Sequence, residues 1–66
     1  MDIQDFKTVG DWYRKMKTDG FTVPLSLYHT LTKIMKDERV SFPEAYQKLQ
    51  AEGQIKIINK TINFNL

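Results

Sequence analysis

The sequence predicts a small α+β domain of three helices followed by a C-terminal β-hairpin. Three observations carry this. Leu27, Tyr28, Leu31, Ile34 and Met35 recur at helical spacing. Ser or Thr caps precede the helical segments and Gly follows two of them. Beyond Gly53 the period changes to two: Ile55 and Ile57, then Ile62, Phe64 and Leu66, alternate with Lys56, Asn63 and Asn65.

The first helical segment runs from Asp2 to Lys17, with Ile3, Phe6, Val9 or Gly10, Tyr13 and Met16 at helical spacing. Thr8-Val9-Gly10-Asp11 fits a capping box, so the firm helix is expected to start near Val9. Residues 2–7 are either a short preceding helix or a loose arm. Asp19-Gly20 is a stop signal, because glycine can take the left-handed conformation that closes a helix. The second helix is expected from about Pro24 to Arg39, with Thr22 as cap and Pro24 in the first turn, where a missing N–H costs nothing. Phe21-Thr22-Val23 before it reads as a very short strand. The third helix is expected from Phe42 to about Glu52. Ser41, Pro43 and Glu44 form its start, Ala45, Tyr46 and Leu49 face inward, and Gly53 ends it. The last segment, Ile55 to Leu66, is a hairpin that turns at Asn59-Lys60, since Asn tolerates positive φ. A lone hairpin is marginal, so the Ile62/Phe64/Leu66 face must pack on the helices.

Length and composition bound the rest. Sixty-six residues make one domain, near the lower limit for independent folding. Hydrophobic residues are 41% and charged residues 27%, an ordinary globular balance. With no cysteine there is no disulfide, thiolate nucleophile or Cys-ligated zinc. No apolar run exceeds two residues, which excludes a transmembrane span or signal-peptide core and leads to the expectation of a cytoplasmic protein. The net charge of +2 permits a polyanionic partner without demanding one.

From Ser41 to Phe64 the chain resembles the second half of a winged helix-turn-helix domain. Ala45, Leu49, Gly53 and Ile55 match its Ala-x-x-x-Leu-x-x-x-Gly-x-Ile pattern. Ile55–Ile58 and Thr61–Leu66 match the two-stranded wing, and Phe21–Val23 the minor third strand. The rest of the chain matches only in element order. Three departures stand beside the resemblance: a long second helix, Glu44 and Glu52 against only Lys48 on the third, and a single Lys60 at the wing tip.

The resemblance implies a small, non-enzymatic DNA-binding or transcription-associated protein. Its third helix would enter the major groove of double-stranded DNA, with Ser41, Gln47, Lys48 and Gln50 as the exposed polar residues. Gln pairs with adenine and Lys with guanine, so Gln47, Lys48 and Gln50 would meet base edges. Lys33, Lys36, Lys56 and Lys60 would anchor phosphate. Lys33, Lys36 and Arg39 form a basic stripe that equally suits a solvated helix face. Arg14, Lys15 and Lys17 lie beside Trp12 and Tyr13; such aromatics stack on single strands or belong to the core. The core is favoured for Tyr13 and Met16, and Trp12 is open between the two.

The alternative is a protein–protein interaction module, an inhibitor or adaptor, acting through exposed aromatics or the C-terminal strand. That strand carries Asn63 and Asn65 rather than charges, so an exposed edge would pair with another chain, including a homodimer partner. Burial within the monomer competes with this, since so small a domain needs the area. No enzyme, cofactor, metal or small-molecule substrate is expected. His29 is the only histidine and Ser26 three residues away cannot complete a triad with it. The acids read as caps and solvated charges, there is no phosphate-binding glycine loop, and Asn59-Lys60-Thr61 matches the glycosylation sequon by chance.

Overall fold

A computed structural model describes residues 3–65. The order is a 3-10 turn (Ile3–Asp5), α1 (Val9–Thr18), α2 (Leu25–Glu38), α3 (Phe42–Ala51), β1 (Ile55–Ile58) and β2 (Thr61–Phe64). Three helices followed by an antiparallel hairpin is the expected α+β architecture. The 3-10 turn decides for a short helix before α1; Asp2 and Leu66, parts of the expected first and last segments, lie outside the described residues.

Local chemistry sets the boundaries. Thr8 caps α1, its hydroxyl accepting the Asp11 N–H at 3.1 Å, while the Asp11 carboxylate pairs with Arg14 at 2.8 Å. Two helices end in the same motif. After α1, Phe21 N–H reaches Met16 O at 2.8 Å and Gly20 N–H reaches Lys17 O at 3.1 Å, with Gly20 at φ +88°. After α3, Gln54 N–H reaches Leu49 O and Gly53 N–H reaches Gln50 O, both at 3.0 Å, with Gly53 at φ +75°. These paired bonds satisfy the last helical carbonyls and require a left-handed residue, which glycine supplies without a Cβ clash. Between α2 and α3 that conformation falls to Arg39, at φ 54°, ψ 45°.

The start of α2 differs from expectation. Pro24, extended at φ −64° and ψ 136°, is the capping residue, and no side chain caps the helix. Thr22 is committed elsewhere: its N–H donates to Lys60 O at 2.8 Å and its carbonyl accepts from Ile62 N–H at 2.9 Å. The expected strand Phe21–Val23 is thus reduced to a single parallel bridge, Thr22 to Thr61. The bridge ties the α1–α2 connection to the outer side of β2.

The helices and one face of the hairpin enclose a single core. Trp12, Leu27, Leu31, Phe42 and Ile62 are its fully buried large side chains, joined by Val9, Met16, Ala45, Tyr46, Leu49 and Ile55. Each large side chain contributes about 1.5–3 kcal/mol on burial. Trp12 belongs wholly to the core, 5.4 Å from the Phe42 ring and 5.7 Å from Tyr46. Tyr13 is half-buried, edge-on to Tyr28 at 5.1 Å. Of the C-terminal apolar face, Ile62 is buried and Phe64 half-buried.

The hairpin closes through Asn59 and Lys60, both with positive φ (48° and 62°), as a two-residue turn that matches the twist of the strands demands. Its register pairs Ile55 with Phe64, Lys56 with Asn63, Ile57 with Ile62 and Ile58 with Thr61. Since Ile62 N–H points outward to Thr22, Ile62 and Ile57 form a non-hydrogen-bonded pair, and alternation turns the Ile57 N–H and C=O away from β2. The C-terminal strand is therefore partly covered on its outer side, and the open edge of the sheet is β1. This relocates the edge expected on the last strand.

Candidate nucleic-acid interface

The buried side of α3 is Phe42, Ala45, Tyr46 and Leu49. Its outermost face, opposite that side, carries Glu44, Gln47 and Ala51, all exposed. Lys48 and Gln50 lie on opposite flanks of this face. Lys48 turns toward α2, where its Nζ meets Glu38 Oε2 at 2.6 Å. That hydrogen bond raises the Lys48 pKa above the ordinary lysine value; desolvation opposes it, and the charges of Glu38 and Glu52 add to it. Gln50 turns the other way, toward β1 and α1. Ser41 spends its hydroxyl as the α3 cap, accepting the Glu44 N–H at 3.4 Å. Gln47 and Gln50, three residues apart, are neighbours on the helix surface, whereas Lys48 is drawn to the other flank by Glu38.

The phosphate-anchoring set is also divided. Lys33 and Lys36 project from the outer face of α2, one turn apart and in line with exposed His29. Arg39 leaves that stripe, because its left-handed backbone ends the helix. Lys56 is exposed on β1, across from Asn63. Lys60 folds back from the turn: its Nζ donates to the Asp19 carbonyl at 3.1 Å and lies 5.6 Å from the Phe21 ring centroid. Among the described residues, Lys33, Lys36 and Lys56 form no ion pair.

The basic cluster of α1 is occupied within its own helix. Arg14 pairs with Asp11 at 2.8 Å, Lys15 with Asp19 at 3.2 Å, and Lys17 sits 5.2 Å from the Tyr13 ring centroid. Trp12 is buried and offers these charges no stacking platform.

One feature has no counterpart among the sequence-based expectations. A groove of about 470 Å³ opens between the N-terminal turn, α1, α3 and the hairpin, lined by Phe6, Trp12, Phe21, Tyr46, Gln50 and Ile57, among others. Ile57 is 51% exposed at its edge, and Ile58, on the opposite face of β1, is 55% exposed. The available signal is the strict alternation from Ile55 to Ile57. It places both on the inner face, but not where the helices beneath that face end. Burial raises the pKa of the Tyr46 hydroxyl beside this groove above the usual tyrosine value.

Among the described residues no group of three or more His, Cys, Asp or Glu side chains could hold a metal ion, and no helix is long and apolar enough to cross a membrane. No family model, curated protein or solved structure matches this chain.

Proposed function

We propose that this chain is a small, non-enzymatic, cytoplasmic protein that binds double-stranded DNA in a transcription-associated role. It would hold the duplex chiefly through its phosphates. The observation that carries the reading is the distribution of unpaired cations among the described residues. Those of α1 are matched by Asp11, Asp19 and the Tyr13 ring, whereas Lys33, Lys36 and Lys56, like Lys7 and Arg39, project without an acidic partner among the described residues. An unpaired, solvated lysine is free to displace counterions from a phosphate backbone, and such contacts dominate non-specific affinity. Gln47 would be the residue to meet a base edge, since Lys48 is held by Glu38 and Gln50 borders the groove. The order of helices and hairpin supports the same reading at the level of fold only.

Fluorescence anisotropy with a short generic duplex tests it. Binding is expected to weaken steeply with salt. The combined Lys33→Ala, Lys36→Ala and Lys56→Ala variant should flatten the log–log salt slope by about 0.9 for each phosphate no longer neutralised. Lys48→Ala should cost less affinity than Lys56→Ala. Absence of binding at low salt overturns the proposal.

A second reading, a protein-contact module, is favoured by Ile57 and Ile58. Ile57 beside an apolar groove and Ile58 on the other face of the same open strand edge are half-exposed, and a partner strand along that edge would cover part of each.

A further inference from the structure

We infer that the open edge of β1 pairs with β1 of a second copy of this chain, giving a four-stranded antiparallel sheet across a two-fold axis at Ile57. The inference rests on the protein-contact reading of this edge, where Lys56 is also a proposed phosphate contact. Its first support is main-chain chemistry. The Ile57 N–H and C=O point away from β2 and have no partner among the described residues, and an extended chain would engage both at once. The edge also lacks the devices that usually block such pairing. It has no proline or bulge, and Lys56 is its one charge.

Charge then selects the register. A two-fold at Ile57 sets Ile57 against its own counterpart, where both main-chain groups are exchanged. Lys56 then faces Ile58 of the other copy, whose side chain the lysine stem covers while its ammonium stays in water. The neighbouring register, centred on Lys56, would place the two Lys56 side chains directly opposite one another, about 4.5 Å apart at Cα, which is repulsive. The chosen register also brings the two Ile57 side chains together at the mouths of the two grooves, adding apolar surface to the hydrogen bonds.

Area sets the strength. A standard interface takes about 800 Å² per partner, nearly a fifth of the 4479 Å² surface of this chain. A four-residue edge covers less, so the pair is weak and concentration-dependent.

Sedimentation equilibrium and backbone amide NMR from micromolar to millimolar protein test the inference. The average mass should rise toward twice the monomer value, the amides of residues 56–58 should shift with concentration, and Ile57 hydrogen exchange should slow about tenfold. A chemically synthesised chain with an N-methyl group on Ile57 should stay monomeric, because that amide has no partner among the described residues. Ile57→Lys should behave likewise, and unchanged amide spectra elsewhere would show that both variants fold. A monomer at every concentration overturns the inference, and so does a dimer that survives N-methylation. A capped alternating Val-Thr peptide separates the two levels. If the chain stays monomeric but the peptide shifts residues 55–58, the edge reading stands and the second copy falls; if neither occurs, both fall.

Discussion

Replacing Arg39 with glycine is expected to stabilise the fold. Arg39 stands at φ 54°, ψ 45° between α2 and α3, the position that Gly20 and Gly53 fill after the other two helices, one residue further on. A left-handed backbone costs a residue with a Cβ about 1–2 kcal/mol. Glycine removes that cost but returns about 0.5–1 kcal/mol through the greater freedom of the unfolded chain. Arg39 is exposed and forms no ion pair among the described residues, so truncating it removes no ionic interaction. The net gain is about 0.5–1 kcal/mol, or a rise of about 3–6 °C in Tm for a domain of this size. Lys60→Gly is the internal comparison. It relieves the same kind of strain at φ 62° but gives up the Nζ hydrogen bond to Asp19 and the approach to Phe21, so its gain should be smaller. Thermal melts followed by circular dichroism read both, with Arg39→Ala as a control expected near wild type. A fall in Tm for Arg39→Gly would refute the reasoning.

Two further outcomes concern the core and its alkaline limit. Trp12→Ala should cost about 3–5 kcal/mol, because the indole is 2% exposed and packs on Phe42 and Tyr46. Total stability for this length is about 3–10 kcal/mol, so urea titration should find the variant largely unfolded or at a much lower midpoint, with Trp12→Phe intermediate. Burial raises the Tyr46 pKa above 10.0, so above that pH the unfolded chain has released a proton that the folded chain keeps. Stability should therefore fall as pH rises beyond about 10. The raised Lys48 pKa acts in the same direction, since its bond to Glu38 is lost as the ammonium deprotonates. Absorbance titration of tyrosinate should show a component above pH 10 that Tyr46→Phe removes.

The elements are legible in the sequence where local chemistry decides them. Thr8 and Ser41 as caps, Gly20 and Gly53 as stops and Asn59-Lys60 as the turn each act within a few residues of chain, and the structure places all of them as expected. Thr22 resembles a cap locally, yet its bonds lie with Lys60 and Ile62, some forty residues away, where no local pattern reaches. The candidate interface is less legible for the same reason. Exposure of Lys33, Lys36, Gln47 and Lys56 follows from periodicity. That Glu38 holds Lys48, and that Lys60 folds onto Asp19 and Phe21, depends on how elements pack. Ile57 shows the limit of alternation: it points inward like Ile55, yet the helices beneath it end, leaving a groove in place of a packed core.

DNA binding through α2 and β1 is tested by an amide and lysine side-chain NMR titration of the labelled chain with a generic DNA duplex at two salt concentrations. Shifts are expected at Lys33, Lys36, Gln47 and Lys56 that shrink as salt rises, with the α1 cations Arg14 and Lys15 unmoved. Shifts centred on α1, or no shifts at low salt, would contradict it.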